Sequence, residues 1–298
     1  MNEIIPAEDV ATALADDYDL TGVVSATLLR RGFNDTYEVQ TANGRYAARV
    51  YLAGKYYLDS DDDIRFELDL LCHLHAAAVS VSAPVTRRDG ASLGSIVDAS
   101  GATRPFARFT WAPGGPIEGT EDPAVARSYG ATLGAIHAHA DRFTSPLTRY
   151  RLNATYLVDQ AERLLRDRFL AASDDRFANY EGAFAEMRAF LAAQPTEGPA
   201  FGYVHGDPHG RNVHVDDTGR VTFFDFDHGG FGWRAYDVVT AVSGVPLEHQ
   251  AAFFDGYRSQ HPLEESTEAE LDRWMPIRMA WDIGDMTATA RSRGVPFV

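Results

Sequence analysis

The chain has 298 residues, of which 45 % are hydrophobic, 11 % aromatic and 23 % charged. This composition excludes an intrinsically disordered chain and provides enough apolar material for two packed lobes. The formal net charge of −16 would repel a phosphate backbone, so nucleic acid is not an expected partner.

Strand-like segments and one helix alternate in the first third of the chain. The predicted strands cover residues 23–31, 36–41, 45–51, 93–98 and 104–111. Asn43-Gly44 is a strong signal for a hairpin turn between the second and third strands. Residues 63–78 have helical periodicity, with Ile64 and Leu68 on one face. This order predicts a β-rich region that contains one helix.

Residues 113–116, Pro-Gly-Gly-Pro, break regular structure and mark the predicted boundary between two lobes. The predicted division is an N-terminal lobe over 1–108, a hinge linker over 109–117 and a C-terminal lobe over 118–298. Asp122 can cap a helix that begins at Pro123 and runs to about Ala140. Further helices are predicted at about 155–170, at 176–193 and within 235–291, with a compact β segment before the last of these.

The chemically informative segment is 205–212, which reads HGDPHGRN, together with the DFD sequence of 225–227. Asp207 follows an apolar strand, Asn212 begins the next strand, and Asp225 ends the second strand of a hairpin. Because a tight hairpin brings its ends together, Asn212 and Asp225 are expected side by side, with Asp207 across the loop. Carboxylate and amide oxygens suit Mg²⁺, and the remaining carboxylate can orient a hydroxyl and accept its proton. Phosphoryl transfer requires this set of groups.

The interval from Asp207 to Asn212 repeats the Asp-x₄-Asn spacing of the protein-kinase catalytic loop. The pattern HGDxHxxN with a downstream DFD resembles the aminoglycoside phosphotransferase and choline kinase family. The resemblance extends from about residue 25 to the last helices. It implies an α+β, two-lobed, protein-kinase-like fold with an N-terminal antiparallel β lobe that has one helix and a mainly helical C-terminal lobe.

The resemblance also implies roles for individual residues. Asp207 is the implied catalytic base, and Asn212 and Asp225 are the implied metal ligands. His205 is implied to fix the loop, and Asp237 to brace that loop from the following helix. ATP is the implied phosphoryl donor, with GTP as an alternative, and Mg²⁺ is the implied metal.

The implied nucleotide site lies in the first lobe. The segment RGFNDTYEV stands where the family has its phosphate-covering hairpin, with Gly32, Asn34 and Thr36 as candidate contacts. Arg49 stands where protein kinases have a strand lysine, and Glu67 is its expected partner. Arginine can bridge carboxylate and phosphate, although a purely structural Arg49–Glu67 ion pair is the alternative. The linker backbone is implied to hydrogen-bond adenine at Phe109, Thr110 and Trp111.

Candidate acceptor-binding residues occur after the metal motif and in the last helical region. They are Asp227, Trp274, Arg278, Trp281, Asp282 and Asp285. Positions 278, 282 and 285 share a helical face, where acidic side chains would suit an ammonium group. The alternatives are packing and a solvated face, and the acidic net charge likewise serves either a cationic acceptor or solubility. For Asp227, a second acid near the metal and a cap for the following glycine turn are both open.

The implied function is ATP- and Mg²⁺-dependent O-phosphorylation of a small molecule, which would be an aminoglycoside or other antibiotic, choline, a homoserine-like amino alcohol or a sugar. Two alternatives are a Ser/Thr protein kinase of the bacterial stress-response type and a non-catalytic nucleotide-binding pseudokinase. The short, glycine-rich segment 228–236 argues for a small substrate, and the presence of Asp207, Asn212 and Asp225 argues against a pseudokinase. The sequence does not choose the acceptor or the oligomeric state.

The predicted compartment is the cytoplasm. Cys72 is the only cysteine, so no disulfide can form within the chain, and it is interpreted as a small buried hydrophobe. The acidic N-terminal segment lacks the apolar region of a signal peptide, and no apolar run approaches the ~20 residues of a membrane helix. Gly130 and Gly134 predict close packing of the helix that contains them.

Overall fold

An antiparallel β-sheet forms the centre of the N-terminal part. The computed structural model describes residues 4–18, 23–52, 54–55, 57–117, 122–171 and 175–293. The strands are β1 Val23–Arg31, β2 Asn34–Thr41, β3 Gly44–Tyr51, β4 Gly94–Val97 and β5 Thr103–Thr110. Their order is β1-β2-β3-β5-β4, and each neighbouring pair is antiparallel. Thr41 pairs with Gly44, which confirms the predicted hairpin turn.

Two helices accompany this sheet, one more than the sequence predicted. Helix α2, Asp61–Ala76, begins two residues before the predicted start because Ser60 forms a capping box with Asp63. Helix α1, Ala7–Asp17, was not predicted. Its buried Val10 and Leu14 belong to a separate apolar cluster on the sheet, which explains why this acidic segment folds.

Helices dominate the C-terminal part, as predicted. They are α3 Pro123–Ala140, α4 Gln160–Ala171, α5 Ala178–Ala192, α6 Arg234–Val242, α7 Leu247–Arg258, α8 Glu265–Ala269 and α9 Leu271–Arg293. The Asp122 side chain accepts a hydrogen bond from the Ala124 N–H over 2.8 Å, which confirms the predicted cap of α3. A π-helical turn, Thr155–Asp159, precedes α4.

Short strands connect these helices to the linker. They are β6 Gly115–Pro116, β7 Phe201–Val204, β8 Val213–Val215, β9 Val221–Phe223 and β10 Gly230–Trp233. The sequence predicted that residues 113–116 break regular structure, but Gly115 and Pro116 form β6, which pairs with β8. That prediction is therefore wrong for the second half of the segment. Gly114 has a φ of +82°, and a Cβ there would lie 1.9 Å from the Val215 carbonyl oxygen. The glycine therefore permits the linker to approach the β8–β9 hairpin.

Helices α3 and α7 pack against each other with little separation between their backbones. A Cβ on Gly130 would lie 2.0 Å from the Phe253 carbonyl oxygen, and one on Gly134 would lie 2.6 Å from that of Tyr257. The close packing predicted from these two glycines is therefore confirmed. The larger apolar core extends from this helix pair to α2 and the sheet.

The helices test two further predictions, one on the environment of Cys72 and one on membrane-spanning segments. Cys72 is exposed on α2, so its interpretation as a buried hydrophobe is wrong. Leu71 and Leu74 supply the buried face of that helix instead. Within the described residues, no helix combines the length and the apolar character needed to cross a bilayer.

Candidate active site

Asp207 lies at the centre of the loop that joins β7 to β8, here named the Asp207 loop (residues 205–212). Its carboxylate accepts hydrogen bonds from Arg278 Nη2 over 2.6 Å and from Asn212 Nδ2 over 3.1 Å. Asn212 Nδ2 also donates to the Asp207 carbonyl oxygen over 3.0 Å. His209 Nε2 is 3.4 Å from the same carboxylate, whose side chain is 16 % exposed. The sequence motif thus brings Asp207 and Asn212 into contact.

The charge of Asp207 follows from these neighbours. Burial by itself would raise the pKa of this carboxyl group, but the Arg278 guanidinium and then His209 outweigh it and hold the pKa well below its usual range. The group is therefore ionised at neutral pH. An ionised carboxylate at the end of a cleft can accept a hydrogen bond from a substrate hydroxyl and orient it.

A buried carboxylate from α6 braces the Asp207 loop. Asp237 accepts hydrogen bonds from the His205 N–H over 2.6 Å and from the Gly206 N–H over 2.9 Å. His137 Nε2 lies 3.0 Å from the same carboxylate. Burial raises the pKa of Asp237 to about 6, against the opposing effects of His205 and the two N–H groups. These contacts agree with the structural roles that the resemblance implied for Asp237 and His205.

Asn212 and Asp225 present oxygens that fit a divalent cation. Phe224 N donates to the Asn212 carbonyl oxygen over 3.0 Å, which holds the two ends of the β8–β9 hairpin together. Among the described residues, the buried Oδ1 of Asn212 has no hydrogen-bond partner. Asp225 has a left-handed backbone, with φ at +66°, and its side chain is 30 % exposed. An unsatisfied amide oxygen and a carboxylate, one at each end of this hairpin, are oxygen donors of the kind that suits Mg²⁺.

A cavity of about 220 Å³, here named the Phe109 cavity, lies between the sheet and the linker. Its lining includes Leu29, Arg30, Thr36, Ala47, Arg49, Leu71, Ser82, Phe109, Trp111, Ala112, Arg211, His214, Phe224 and Asp225. Thr110 is adjacent, but its N–H donates to the Ala83 carbonyl over 2.8 Å and its carbonyl accepts from Ser82 Oγ over 2.6 Å. Of the three predicted linker residues, Phe109 and Trp111 line the cavity.

Arg49 connects the sheet to the hairpin that ends at Asp225. Its guanidinium donates to Glu67 over 2.8 Å and lies 2.9 Å from Asp225. The predicted Arg49–Glu67 pair is therefore present. Burial raises the pKa of Glu67, and the Arg49 charge opposes that effect. One arginine thus faces both a helix carboxylate and a candidate metal ligand.

A second cavity of about 380 Å³, here named the Asp285 cavity, lies beside the β1–β2 hairpin. Its lining includes Arg30, Gly32, Phe33, Asn34, Thr36, Asp207, Asp225, Asp227, His228, Asp285, Met286, Thr289 and Ala290. The predicted hairpin contacts Gly32, Asn34 and Thr36 all lie on this wall. Arg30, Thr36 and Asp225 line both cavities, so the two spaces meet at the candidate metal ligand.

Asp227 contacts the N-terminal part of the protein. Lys55 Nζ lies 2.9 Å and 2.8 Å from its two oxygens, Tyr57 Oη donates over 2.6 Å, and Asn34 Nδ2 donates over 2.8 Å. Burial acts against the charged form, but Lys55 and then Arg49 hold the pKa of Asp227 far below its usual range. The sequence analysis did not identify Lys55 or Tyr57 as residues of the site. The one feature of the sequence that could have drawn attention to Lys55 is that it is the only lysine.

The other acceptor candidates divide into two groups. Arg278 contacts Asp207 and lies 2.8 Å from Asp282, and the Trp281 ring centroid is 4.8 Å from its guanidinium carbon. Asp285 lies 3.7 Å from His228 Nε2. These four residues of α9 therefore lie at or near the site. Trp274 lies elsewhere, because its ring packs against Phe190 and Trp233 at centroid distances of 5.1 Å and 5.7 Å.

Comparison with known proteins identifies the family. Residues 25–271 match the family model described as "Phosphotransferase enzyme family". An uncharacterized protein of Deinococcus radiodurans is 33 % identical over 303 residues, which cover 99 % of this chain and 86 % of the relative. A homoserine kinase of Xanthobacter autotrophicus is 26 % identical over 287 residues, which cover 91 % of this chain and 82 % of the relative.

A solved structure supports the same conclusion for the fold. Amicoumacin kinase hAmiN, solved in complex with AMP-PNP, Ca²⁺ and Ami, superposes with a TM-score of 0.75 at 21 % sequence identity. The match covers 94 % of this chain and 85 % of that chain. The predicted kinase-like fold and the resemblance that led to it are therefore confirmed. With its HGD loop, its DFD segment and a two-part α+β fold, the chain belongs to the phosphotransferase enzyme family, whose members include small-molecule kinases.

Proposed function

We propose that this protein is an ATP- and Mg²⁺-dependent O-phosphotransferase that phosphorylates a hydroxyl group of a small molecule. The observation that carries the proposal is the junction of the two cavities at Asp225. The Phe109 cavity would hold the nucleotide base, and the Asp285 cavity would hold the acceptor. Asp207 lines the acceptor side, where its ionised carboxylate would orient the hydroxyl and accept its proton.

The nucleotide would lie with its base in the Phe109 cavity and its phosphates toward Asp225. Ala47 and Phe109 provide apolar surface for a purine, and Arg30 and Arg49 provide positive charge near the phosphates. The resemblance to kinases favours ATP.

Our proposed division into lobes and hinge remains 1–108, 109–117 and 118–298. The structure describes the chain up to residue 117 and again from residue 122, so the proposed end of the hinge coincides with the end of a described segment.

Asn212 and Asp225 would hold the magnesium ion. Asn212 Oδ1, which has no partner in the described part of the chain, supports this assignment, since a buried amide oxygen is costly to leave without a partner. When bound, Mg²⁺ supplies positive charge that neutralises the phosphate oxygens. Residues of the chain position the two carboxylates. Asn212 Nδ2 donates a hydrogen bond to Asp207, and Arg49 forms an ion pair with Asp225.

The acceptor is proposed to carry an amino group as well as a hydroxyl. Asp285 lines the proposed acceptor cavity, and Asp282 lies 2.8 Å from Arg278, which contacts Asp207. The net charge of −16 and these two carboxylates favour a cationic acceptor. The similarity to a homoserine kinase and to an amicoumacin kinase supports a small-molecule acceptor rather than a protein.

A coupled ADP-release assay tests the proposal. Mg-ATP is supplied with aminoglycosides, macrolides, choline, ethanolamine, homoserine and simple sugars in turn, and the Asp207→Asn variant is run beside the wild type. Turnover that depends on one acceptor class and is lost in the variant supports the proposal. Failure of the wild type to bind Mg-ATP would contradict it.

A further inference from the structure

Asp227 is a buried carboxylate on which three side chains of the N-terminal part converge. Its side chain is 2 % exposed, and the side chain of Lys55 is fully buried. Lys55 and Tyr57 come from the connection between β3 and α2, whereas Asn34 begins β2 at the tip of the β1–β2 hairpin. Both carboxylate oxygens therefore have donors from the chain itself, which removes Asp227 from the set of free acceptor-binding groups.

The backbone around Asp227 is held by a further arginine, Arg149. Arg149 Nη2 donates to the Asp227 carbonyl over 2.5 Å, and Arg149 Nε donates to the Gly229 carbonyl over 2.8 Å. Arg149 also donates to the carbonyl of Asp63 in α2. The segment that follows Asp225 is thus joined to the hairpin tip, to the β3–α2 connection and to α2.

The charges of Lys55 and Asp227 depend on each other. Each is buried, and removal of one would leave the other as an isolated charge in the interior. Arg49 already faces Glu67 and Asp225, and Arg149 donates to the backbone carbonyl of Asp227. Tyr57 and Asn34 contribute neutral donors, so they cannot replace the lysine charge.

We propose that Lys55 and Asp227 form a positioning pair that holds the hairpin tip against the metal-ligand segment before any nucleotide binds, and so pre-organises the site for nucleotide phosphates. The inference rests on the proposed function. Asp225 is two residues from Asp227, and Asn34 lies between the hairpin residues Gly32 and Thr36. A shift of the pair would therefore move groups on both sides of the phosphate position, and pre-organised groups bind more tightly because less ordering remains.

Calorimetric titration with Mg-ATP and with adenosine tests the pair. For Asp227→Asn and Lys55→Met we expect the Kd for Mg-ATP to rise by about tenfold or more, whereas the Kd for adenosine stays close to the wild-type value. Lys55→Arg should recover part of the loss, because it retains the charge. Asp17→Asn is the matched control, since it removes a half-buried ion pair with Arg87 in the same part of the protein.

The outcomes separate this inference from the proposed function. Equal Mg-ATP affinity in the wild type and in folded Lys55 and Asp227 variants would overturn the positioning pair and leave the proposed function intact. Parallel losses for adenosine and Mg-ATP would also overturn it, since they would indicate general damage. If the wild type itself fails to bind Mg-ATP, the proposed function fails first.

A measurement on the wild type covers the case in which the variants do not fold. Lys55 is the only lysine, so modification by an amine-reactive ester followed by peptide mass spectrometry reports on this one side chain. With and without Mg-ATP, we expect Lys55 to react about tenfold or more slowly than the lysine of a synthetic peptide of the same sequence. Fast modification without nucleotide, whether or not Mg-ATP suppresses it, would show that the pair is not preformed and would overturn the inference.

Discussion

Arg278 and Asp207 form a hydrogen-bonded ion pair between the last helix and the Asp207 loop, with 2.6 Å between Nη2 and Oδ1. The same guanidinium lies 2.8 Å from Asp282, so one arginine joins the candidate base to a candidate acceptor contact. Burial acts to raise the pKa of Asp207, and the charge of Arg278 is the main effect that lowers this pKa. The guanidinium therefore links the charge of Asp207 to that of Asp282 on α9.

Removal of Arg278 should make the activity sensitive to acid. In the wild type the pKa of Asp207 is depressed, so the base stays ionised as the pH falls and only the lowest pH values protonate it. Arg278→Met removes the positive charge that chiefly lowers the pKa of Asp207. Burial then raises that pKa. We expect kcat of the variant to fall by about tenfold or more between pH 8 and pH 5, while the wild type changes little.

Arg273→Met is the control for this pH profile. Arg273 lies on the same helix, pairs with Glu270 and covers the ring of Phe190, with no contact to Asp207. Its profile should match that of the wild type. An Arg278→Met profile that is parallel to the wild type over the whole range would contradict the electrostatic role given to Arg278.

Loss of a candidate metal ligand should raise the magnesium requirement. Asp225→Asn removes the charge of one of the two candidate metal ligands. We expect the Mg²⁺ concentration for half-maximal activity to rise by at least about tenfold. Even substitution of residues that only hydrogen-bond to a metal ligand lowers metal affinity or activity by about 10- to 100-fold. Steady-state rates over a magnesium titration measure this, and excess chelator should abolish activity in the wild type.

Asp217→Asn provides the comparison for the metal experiment. Asp217 is an exposed turn residue of the β8–β9 hairpin, and its substitution removes the same charge without touching the site. It should leave the magnesium titration unchanged. An unaltered titration for Asp225→Asn would remove Asp225 from the metal site.

Gly130 should tolerate alanine poorly. A Cβ at this position would overlap the Phe253 carbonyl in α7, so the two helices would have to separate. We expect Gly130→Ala to reduce the free energy of unfolding by about 1 to 3 kcal/mol. Gly182→Ala in α5 meets no atom of the described residues within 4 Å and should instead stabilise the protein by about 0.5 to 1 kcal/mol. Urea denaturation of both variants tests the contrast, and equal effects would contradict the packing account.

Local signals explain which elements could be predicted. The Asp122–Pro123 start of α3 and the Asn43-Gly44 turn depend on neighbouring residues, so the sequence contains all the information they need. Helix α1 escaped prediction because its short apolar stripe becomes informative only against the sheet that it covers. The two-residue strand β6 likewise exists only because β8 lies beside it.

The candidate site shows the same division. Asp207 and Asn212 are five residues apart, and their contact follows from one loop. The contact between Lys55 and Asp227 spans 172 residues, and that between Arg278 and Asp207 spans 71. A helical face predicted from spacing placed Arg278 and Asp282 together, but it could not separate them from Trp274, which faces Phe190 in another part of the helical region.

Direct detection of the phosphorylated acceptor tests the central claim. The wild type, Asp207→Asn and the Asp217→Asn control are incubated with Mg-ATP and the acceptor identified by the ADP-release screen, and mass spectrometry measures the gain of one phosphoryl group. We predict phosphorylated acceptor with the wild type and the control, and a rate lower by about 10²- to 10⁴-fold with Asp207→Asn. Equal product formation by Asp207→Asn, or ADP formed without any phosphorylated acceptor, would contradict the account.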